Sequence, residues 1–275
     1  MQTTTMTTPD FAAITARQQA TWASGDYSAI AARIPVISEL LVDAADLRSG
    51  TRVLDVAGGS GNTALAAARC GCDVTSLDYV PSLLERGRQR ATAEGLPVAF
   101  VEGDAQAMPF PDAAFDAVIS VVGVMFAADQ EASAREMLRV CAPGGTIALA
   151  NWTPEGFIGG LFRTIGAHVP PPAGISPPPL WGTEDRVREL LGEGVREMAL
   201  RRRRYTFRFD SPRHFTDFFR EMYGPTLKAF AALDQDGRES LETEIDGLVR
   251  RFDRLGGDGP VAIPAEYLEI VATRS

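Results

Sequence analysis

A glycine-rich turn after residue 56 is the feature that most constrains the fold of this chain. The apolar run 53–56 contains one carboxylate, Asp55, and the turn leads into the small-residue segment 65–69. This order predicts a strand, a tight loop that a ligand can approach closely, and a helix N-terminus with free N–H groups. Residues 59–64 also fit the dinucleotide fingerprint G-x-G-x-x-G/A, which alone does not identify the ligand.

The charge of Asp55 favours one of two cofactors. A carboxylate at the mouth of the loop would repel the pyrophosphate of NAD, but it would attract the ammonium group of an amino-acid-like ligand. S-adenosylmethionine (SAM) carries such an ammonium group and has no phosphate. Asp55 therefore favours SAM, with NAD as the alternative.

Apolar runs alternate with helical segments through the first half of the chain. Further strands are predicted at 73–78, 98–105, 115–122 and 146–150, and helices at about 62–70, 81–94 and 129–140. This alternation predicts a parallel, doubly wound sheet that binds ligands at the carboxyl ends of its strands. Asp78 at one such end could accept hydrogen bonds from both hydroxyls of a ribose. Asp104 at another end could accept a hydrogen bond from an adenine amino group.

These ordered motifs resemble the class I SAM-dependent methyltransferases, within them the small-molecule branch related to ubiquinone and menaquinone C-methyltransferases. The resemblance rests on residues 54–62, 78–79, 102–116 and 139–145, and it covers roughly residues 50–151. It implies an α/β fold with a doubly wound, Rossmann-like sheet of seven strands, helices on both faces, an antiparallel last strand and a mostly helical cap over the carboxyl ends of the strands.

The resemblance also implies SAM as the cofactor, S-adenosylhomocysteine as the product and a small molecule as the methyl acceptor. We expect the cofactor to contact Asp55, Ala57, Gly58, Gly59, Gly61, Asp78, Tyr79, Gly103, Asp104, Ala105, Ser120 and Tyr27.

The chain divides into four predicted parts. Residues 1–48 form an N-terminal helical segment or lid, broken near residues 24–26, and residues 49–151 form the SAM-binding core. Residues 152–203 are a cap insertion rich in proline and aromatic residues. Residues 204–275 supply two last strands, 205–209 and 267–272, with a helical cap insertion over 211–263.

Aromatic side chains in the lid and cap segments indicate a planar or apolar acceptor. The candidate acceptor-binding residues are Trp22, Met125, Phe126, Trp152, Phe157, Phe162, Trp181 and Phe219. Apolar residues at helical spacing are more often core than pocket, so packing in the core is the alternative role for several of them.

Methyl transfer from a sulfonium is an in-line displacement on an activated donor, so alignment in a dry pocket supplies much of the acceleration. A general base is needed only when the acceptor must lose a proton. The candidates are His214, His168, Tyr223, Tyr27 and Glu221, and a structural role is the common alternative for a lone histidine.

Composition argues against several other functions. A net charge of −9 opposes binding to nucleic acid, and the basic run 201–204 is typical of a solvated strand edge or loop. Three cysteines without a histidine cluster predict reduced thiols and no metal site. Residues 1–10 do not resemble a signal peptide, and no segment is apolar enough to span a membrane, so we expect a cytoplasmic protein. A homodimer is compatible with the sequence.

Two rival functions remain at this point. A nicotinamide-dependent oxidoreductase would share the glycine loop, but the sequence shows neither a second nucleotide-binding half nor an obvious Tyr-x-x-x-Lys pair. A non-catalytic SAM-binding protein would keep every cofactor motif without turnover.

Overall fold

Helices and strands alternate along residues 9–275, the part of the chain that the computed structural model describes. The first elements are α1 (Phe11–Trp22), α2 (Tyr27–Ala31), α3 (Pro35–Ala44), β1 (Arg52–Val56), α4 (Asn62–Arg69), β2 (Asp73–Asp78), α5 (Pro81–Glu94), β3 (Val98–Glu102), β4 (Phe115–Val121) and α6 (Gln130–Val140). They are followed by β5 (Cys141–Trp152), α7 (Phe157–His168), α8 (Glu184–Leu191), β6 (Val195–Phe209), α9 (Pro212–Met222), α10 (Gly224–Ala232), α11 (Gln235–Phe252) and β7 (Val261–Arg274).

Some predictions concern residues outside this range. Residues 1–8 of the predicted N-terminal segment, and most of the stretch judged not to be a signal peptide, lie outside the described residues. Within residues 9–275, no helix is long and apolar enough to cross a membrane.

The strands form one sheet in the order β3-β2-β1-β4-β5-β7-β6. Strands β1 to β5 pair in parallel, whereas β7 runs antiparallel to both β5 and β6. Helices cover this sheet, and the central strands β1 and β4 are therefore almost continuously buried. The predicted seven-stranded, Rossmann-like sheet with an antiparallel last strand is confirmed.

The last strands are longer than the sequence predicted. β6 begins ten residues before residue 205, β7 begins at Val261, and β5 begins at Cys141 rather than at residue 146. β6 lies at the edge of the sheet, where arginine side chains reach solvent and protect the open edge. The prediction of a solvated strand edge for residues 201–204 is therefore confirmed, and Arg203 also forms an ion pair of 2.5 Å with the buried Glu269.

The N-terminal segment forms three helices rather than two. The predicted break after α1 is present at Gly25, which has a φ of +74° and packs against the carbonyl of Met222. A second break separates α2 from α3, because Pro35 occupies the first turn of α3 and cannot continue a preceding helix.

Helices α9, α10 and α11 are inserted between the last two strands, and an aromatic cluster joins them to α7 and β6. Phe215 stacks on Phe219 at a centroid distance of 4.2 Å and meets Phe157 at 5.1 Å. Phe207 and Phe209 of β6 complete the cluster. Because Phe157 is fully buried here, its predicted role in acceptor binding does not match its position.

We expect Phe215→Ala to lower the free energy of unfolding by about 3–5 kcal/mol, because it removes a fully buried ring from this cluster. Urea denaturation would measure the change. Leu255→Ala is the control, since Leu255 is 64% exposed and its loss should change stability by less than about 0.5 kcal/mol. Equal effects of the two substitutions would contradict this description of the core.

Candidate active site

An open cavity lies between the carboxyl ends of β1 to β4 and the three N-terminal helices. It encloses about 910 Å³, including the space at its mouth. Its floor consists of the ends of the strands and the loops that follow them, whereas Thr15, Gln18, Trp22, Tyr27 and Ser38 project from α1, α2 and α3. The cavity therefore occupies the place where doubly wound sheets bind their ligands.

The glycine loop approaches its neighbours too closely for larger residues. A Cβ atom on Gly58 would lie 2.3 Å from Ser76 Oγ and 2.5 Å from Asp55 Oδ2. Gly59 and Gly61 both have positive φ angles, and Gly61 begins α4 as its N-cap. The backbone of the loop is therefore exposed to the cavity at Gly58 and Gly59.

Two residues beside this loop adopt strained backbone conformations. Ala57 has a φ of +52° and Val122 a φ of +59°, and both border the cavity. Positive φ is a genuine outlier for a β-branched residue such as valine. Strain of this kind costs about 1–3 kcal/mol per residue and is concentrated at functional sites. Its position supports the assignment of this cavity as the active site.

Asp55 does not face the cavity. Its side chain is fully buried behind Gly58, and Oδ2 accepts a hydrogen bond of 3.0 Å from the N–H of Ala64 in the first turn of α4. Burial raises the pKa of Asp55 to about 8, and the charge of Asp78 adds to the shift. The direct contact with a ligand ammonium group that the sequence suggested is therefore not provided by this geometry, and Asp55 holds the helix N-terminus instead.

Asp78 is the carboxylate that borders the cavity. Oδ2 accepts a hydrogen bond of 2.8 Å from the N–H of Gly59, and Oδ1 accepts one of 2.8 Å from the N–H of Val80. Burial raises the pKa of Asp78 to about 6, although these hydrogen bonds oppose the shift. Each oxygen keeps a further lone pair that could accept a ribose hydroxyl.

Gln106 connects the end of β3 to α1, and sequence reasoning did not find it. Its Nε2 donates to both carboxylate oxygens of Asp104 at 3.0 Å and to Thr15 Oγ1 at 2.9 Å. Its Oε1 accepts a hydrogen bond of 2.7 Å from the N–H of Asp129. Gln106 lies in the 102–116 motif, but no spacing pattern distinguishes a bridging glutamine from a solvated one.

A second connection links the glycine loop to α2. Asn62 Nδ2 donates to the carbonyl of Ala31 at 2.8 Å, and Arg90 donates to Asn62 Oδ1 at 2.8 Å. Ser38 and Thr63 share a buried hydrogen bond of 3.0 Å and border the cavity. The position of Asn62 and Thr63 at the predicted start of a helix was the signal that could have identified them.

Most predicted cofactor-binding residues border the cavity, and three do not. Asp55 is buried, Gly61 caps α4, and Ser120 Oγ donates to the carbonyl of Val56 at 2.7 Å while accepting from the N–H of Val124. The predicted residues that border it are Ala57, Gly58, Gly59, Asp78, Tyr79, Gly103, Asp104, Ala105 and Tyr27.

The predicted acceptor-binding residues are divided among four environments. Trp22 and Phe126 border the open cavity, and their rings lie 4.7 Å apart. Trp152 and Phe219 border a second, smaller cavity instead. Phe162 packs edge-on against Phe126 at 5.7 Å. Three predicted residues are buried in the core and border neither cavity, because their apolar side chains pack between the sheet and its helices: Met125, Phe157 and Trp181.

The histidines do not lie near the cavity. His168 pairs with Glu244 at 3.0 Å, and His214 pairs with Asp210 at 3.1 Å. Neither borders either cavity, so the predicted base role does not match their positions. Tyr27 borders both cavities, and Tyr223 borders the second one. Glu221 is exposed and, like the histidines, borders neither cavity.

The charges of the residues that border the open cavity fit SAM better than NAD. Among the described residues that border it, none is a lysine or an arginine, and Asp78 and Asp104 are acidic. A pyrophosphate would therefore meet carboxylates without a compensating cation, whereas an uncharged adenosine attached to an amino acid would not. Within residues 9–275, no group of three or more potential ligands could hold a metal ion.

Comparisons with known proteins agree with this site. The family model described as a methyltransferase domain matches residues 54–149. An uncharacterized protein of Mycobacterium tuberculosis is 43% identical over 265 residues, which are 95% of each chain. A demethylmenaquinone methyltransferase of Thermus thermophilus is 37% identical over 161 residues, or 53% of this chain and 73% of that enzyme.

A solved structure shows the same fold. Phosphoethanolamine N-methyltransferase 2 of Haemonchus contortus, in complex with phosphomonomethylethanolamine and S-adenosylhomocysteine, aligns with a TM-score of 0.55 and 17% identity. The alignment covers 86% of this chain and 52% of that one. The chain belongs to the class I SAM-dependent methyltransferases and resembles the quinone methyltransferases among them. It is therefore a methyltransferase that uses SAM as its cofactor.

We expect the affinity for S-adenosylhomocysteine to fall up to about tenfold per pH unit below the pKa of Asp78, which is about 6, because only the ionised carboxylate is a full acceptor for the ribose hydroxyls. Isothermal titration calorimetry between pH 5 and pH 8 would measure it. Asp78→Asn should bind weakly at every pH, whereas Asp258→Asn, at a side chain that is 90% exposed, should behave like the original protein. A flat profile for the original protein would contradict this assignment.

We expect Asp55 to make stability depend on pH in the opposite way to an ordinary surface carboxylate. Its pKa is about 8 in the folded protein, so the folded state keeps a proton that the unfolded chain has already lost, and stability falls as pH rises from about 4 to about 8. Between about pH 6.5 and 7.5, the free energy of unfolding should fall less steeply with pH in Asp55→Asn than in the original protein. The difference between the two slopes should be as much as about 1.4 kcal/mol per pH unit. Urea denaturation across this range tests it, and identical slopes would refute a neutral Asp55.

Proposed function

We propose that this enzyme transfers the methyl group of SAM to a small molecule with a planar or apolar body. The observation that carries the proposal is the composition of the open cavity. A glycine loop and two acids line part of it, and the rings of Trp22, Tyr27 and Phe126 line another part. Aromatic faces pack well against flat or hydrocarbon groups, and they would also favour the positive charge of a sulfonium.

We propose that the two acids hold the adenosine part of the cofactor. Asp78 would accept the ribose hydroxyls, and Asp104 would accept a hydrogen bond from the adenine amino group. Tyr79 lies between them in the wall of the cavity. The exposed backbone of Gly58 and Gly59 leaves room for the amino-acid end. When bound, SAM supplies an activated methyl group on a positively charged sulfur.

The side chains of the cavity suit a role in binding, orientation and exclusion of water. Asp78 already accepts two backbone hydrogen bonds, and Asp104 is bonded to Gln106. Burial and the nearby charge of Asp78 raise the pKa of Tyr27 above its ordinary value, so its hydroxyl keeps its proton at neutral pH. The protein would therefore act chiefly through proximity and alignment, with an acceptor that supplies its own nucleophile.

The hydrogen bonds of the N-terminal helices support closure over the acceptor. Gln19 donates to the carbonyl of Tyr79, Gln106 donates to Thr15, and Arg86 forms an ion pair of 3.6 Å with Asp26. These contacts hold α1 and the start of α2 over the cavity. A covered site would exclude water from the reacting atoms.

The similarity to a demethylmenaquinone methyltransferase supports a place in quinone metabolism, and secondary metabolism is the alternative context. A cytoplasmic location, a homodimer and the four-part division of the chain stay predictions from the sequence. Nicotinamide chemistry is disfavoured because the described residues that border the cavity include two acids and no lysine or arginine.

We expect the purified full-length protein to bind S-adenosylhomocysteine and not NAD in calorimetric titrations. With radiolabelled SAM, methyl transfer should occur to members of a panel of naphthols and hydroquinones, because their flat rings match the aromatic wall. Glycine and phosphoethanolamine are the charged controls. Turnover confined to these charged compounds would overturn the proposed acceptor class. Binding of S-adenosylhomocysteine without any transfer would instead favour a non-catalytic SAM-binding protein.

A further inference from the structure

A second, smaller cavity lies next to the open one and shares part of its wall. The space between its walls amounts to about 330 Å³ when the part that is open to solvent is included, and Tyr27, Ile34 and Val122 border both cavities. Its other walls include aromatic rings from β5, β6 and α9 and aliphatic side chains from α7, among them Trp152, Phe207, Phe219, Ile158 and Leu161. The smaller cavity therefore lies deeper between the sheet and the cap, beside the expected position of the cofactor.

The wall of this second cavity is almost wholly apolar. Among the described residues that border it, none carries a charge, and the only polar side-chain groups are the hydroxyl of Tyr27, the hydroxyl of Tyr223 and the indole N–H of Trp152. A charged group that entered would lose its hydration without gaining a partner. The cavity thus selects for uncharged, hydrocarbon-rich groups.

The two tyrosines provide hydrogen-bond donors at one end of this wall. Their ring centroids lie 6.3 Å apart, and within residues 9–275 neither hydroxyl forms a hydrogen bond. Burial raises the pKa of both above the ordinary range, so both hydroxyls remain protonated near neutral pH. Because both hydroxyls belong to residues that border the cavity, an oxygen of a bound ligand could accept a hydrogen bond from each of them.

The hydroxyl of Tyr205, in strand β6, has a protein partner. Tyr205, also in contact with Phe207, donates its hydroxyl to the carbonyl of Arg33. Tyr205 borders neither cavity. It is therefore a matched control, a tyrosine of the same region whose hydroxyl has a protein partner.

We propose that the second cavity is the subsite for the uncharged, apolar body of the methyl acceptor, and that the hydroxyls of Tyr27 and Tyr223 donate hydrogen bonds to an acceptor oxygen. This inference rests on the proposed function, because it assumes a small acceptor beside SAM. The acceptor class is a compact hydrocarbon, flat or branched, that carries a hydroxyl or carbonyl oxygen and no charge. Tyr27 lies at the shared wall, where it would orient the acceptor toward the methyl group.

The test uses 2-naphthol as the probe and naphthalene as the analogue without oxygen, each titrated into the full-length protein saturated with S-adenosylhomocysteine. The original protein should bind 2-naphthol more tightly than naphthalene. Tyr223→Phe should lower the affinity for 2-naphthol about tenfold, which is the effect of one lost hydrogen bond. The affinity for naphthalene should stay unchanged. Tyr205→Phe should change neither affinity. Leu161→Trp, which fills the cavity, should weaken both probes.

Three outcomes would overturn the inference. They are an absence of 2-naphthol binding to the original protein, unchanged affinity for 2-naphthol in Tyr223→Phe, or an equal loss in Tyr205→Phe and Tyr223→Phe. The affinity for S-adenosylhomocysteine is measured for every variant. It distinguishes a failure of the acceptor subsite from a failure of the proposed function. If the original protein does not bind S-adenosylhomocysteine, the proposed function fails; if it binds it and the probes behave otherwise than expected, only the acceptor subsite fails. Leu161→Trp is interpreted only if its thermal unfolding remains cooperative, and Tyr223→Phe tests the inference independently.

Discussion

The contact of Gly58 with the buried side chains of Asp55 and Ser76 is the constraint on which the rest of the site depends. Without a Cβ atom, the loop can close over Asp55, whose carboxyl group then reaches the first turn of α4. The same closure places the N–H of Gly59 within 2.8 Å of Asp78. One close approach thus fixes the loop, the helix that follows it and the orientation of the acid that borders the cavity.

The sequence predicted the central sheet well because its physical causes are local. Strand β2 and helix α5 have the bounds that apolar patterning and the proline at the start of the helix indicated. The errors lie in β5, β6 and β7, whose ends are determined by pairing with one another rather than by their own residues. An arginine-rich edge strand lacks the apolar alternation on which strand prediction depends. Its extent becomes visible only when β7 is placed beside it.

The chemistry of residues at the strand ends correctly predicted part of the site. The prediction failed where long-range packing determines the direction of a side chain. Asp78, Tyr79 and Asp104 lie at the carboxyl ends of predicted strands, and these ends converge at one edge of a parallel sheet. Asp55 also follows this rule, but its direction depends on the fold of the loop, and the sequence argument from its charge assumed an exposed carboxylate. Its pKa of about 8 means that at neutral pH most of that charge is absent. The preference for SAM instead rests on the absence of basic side chains among the described residues that border the cavity.

Val122 has a strained backbone conformation and lies in the wall that the cofactor cavity shares with the proposed acceptor subsite. Its N–H still donates to the carbonyl of Ala150 at 2.8 Å, so the strand end is held even though φ is positive. A Cβ atom on the next residue, Gly123, would lie 2.3 Å from the carbonyl of Ala57, which leaves no room for a larger residue. The ends of β1 and β4 therefore lie close together, and Val122 beside them borders both cavities. A residue held rigidly there would keep the cofactor and the proposed acceptor subsite at a fixed separation, which is what an in-line methyl transfer by alignment requires.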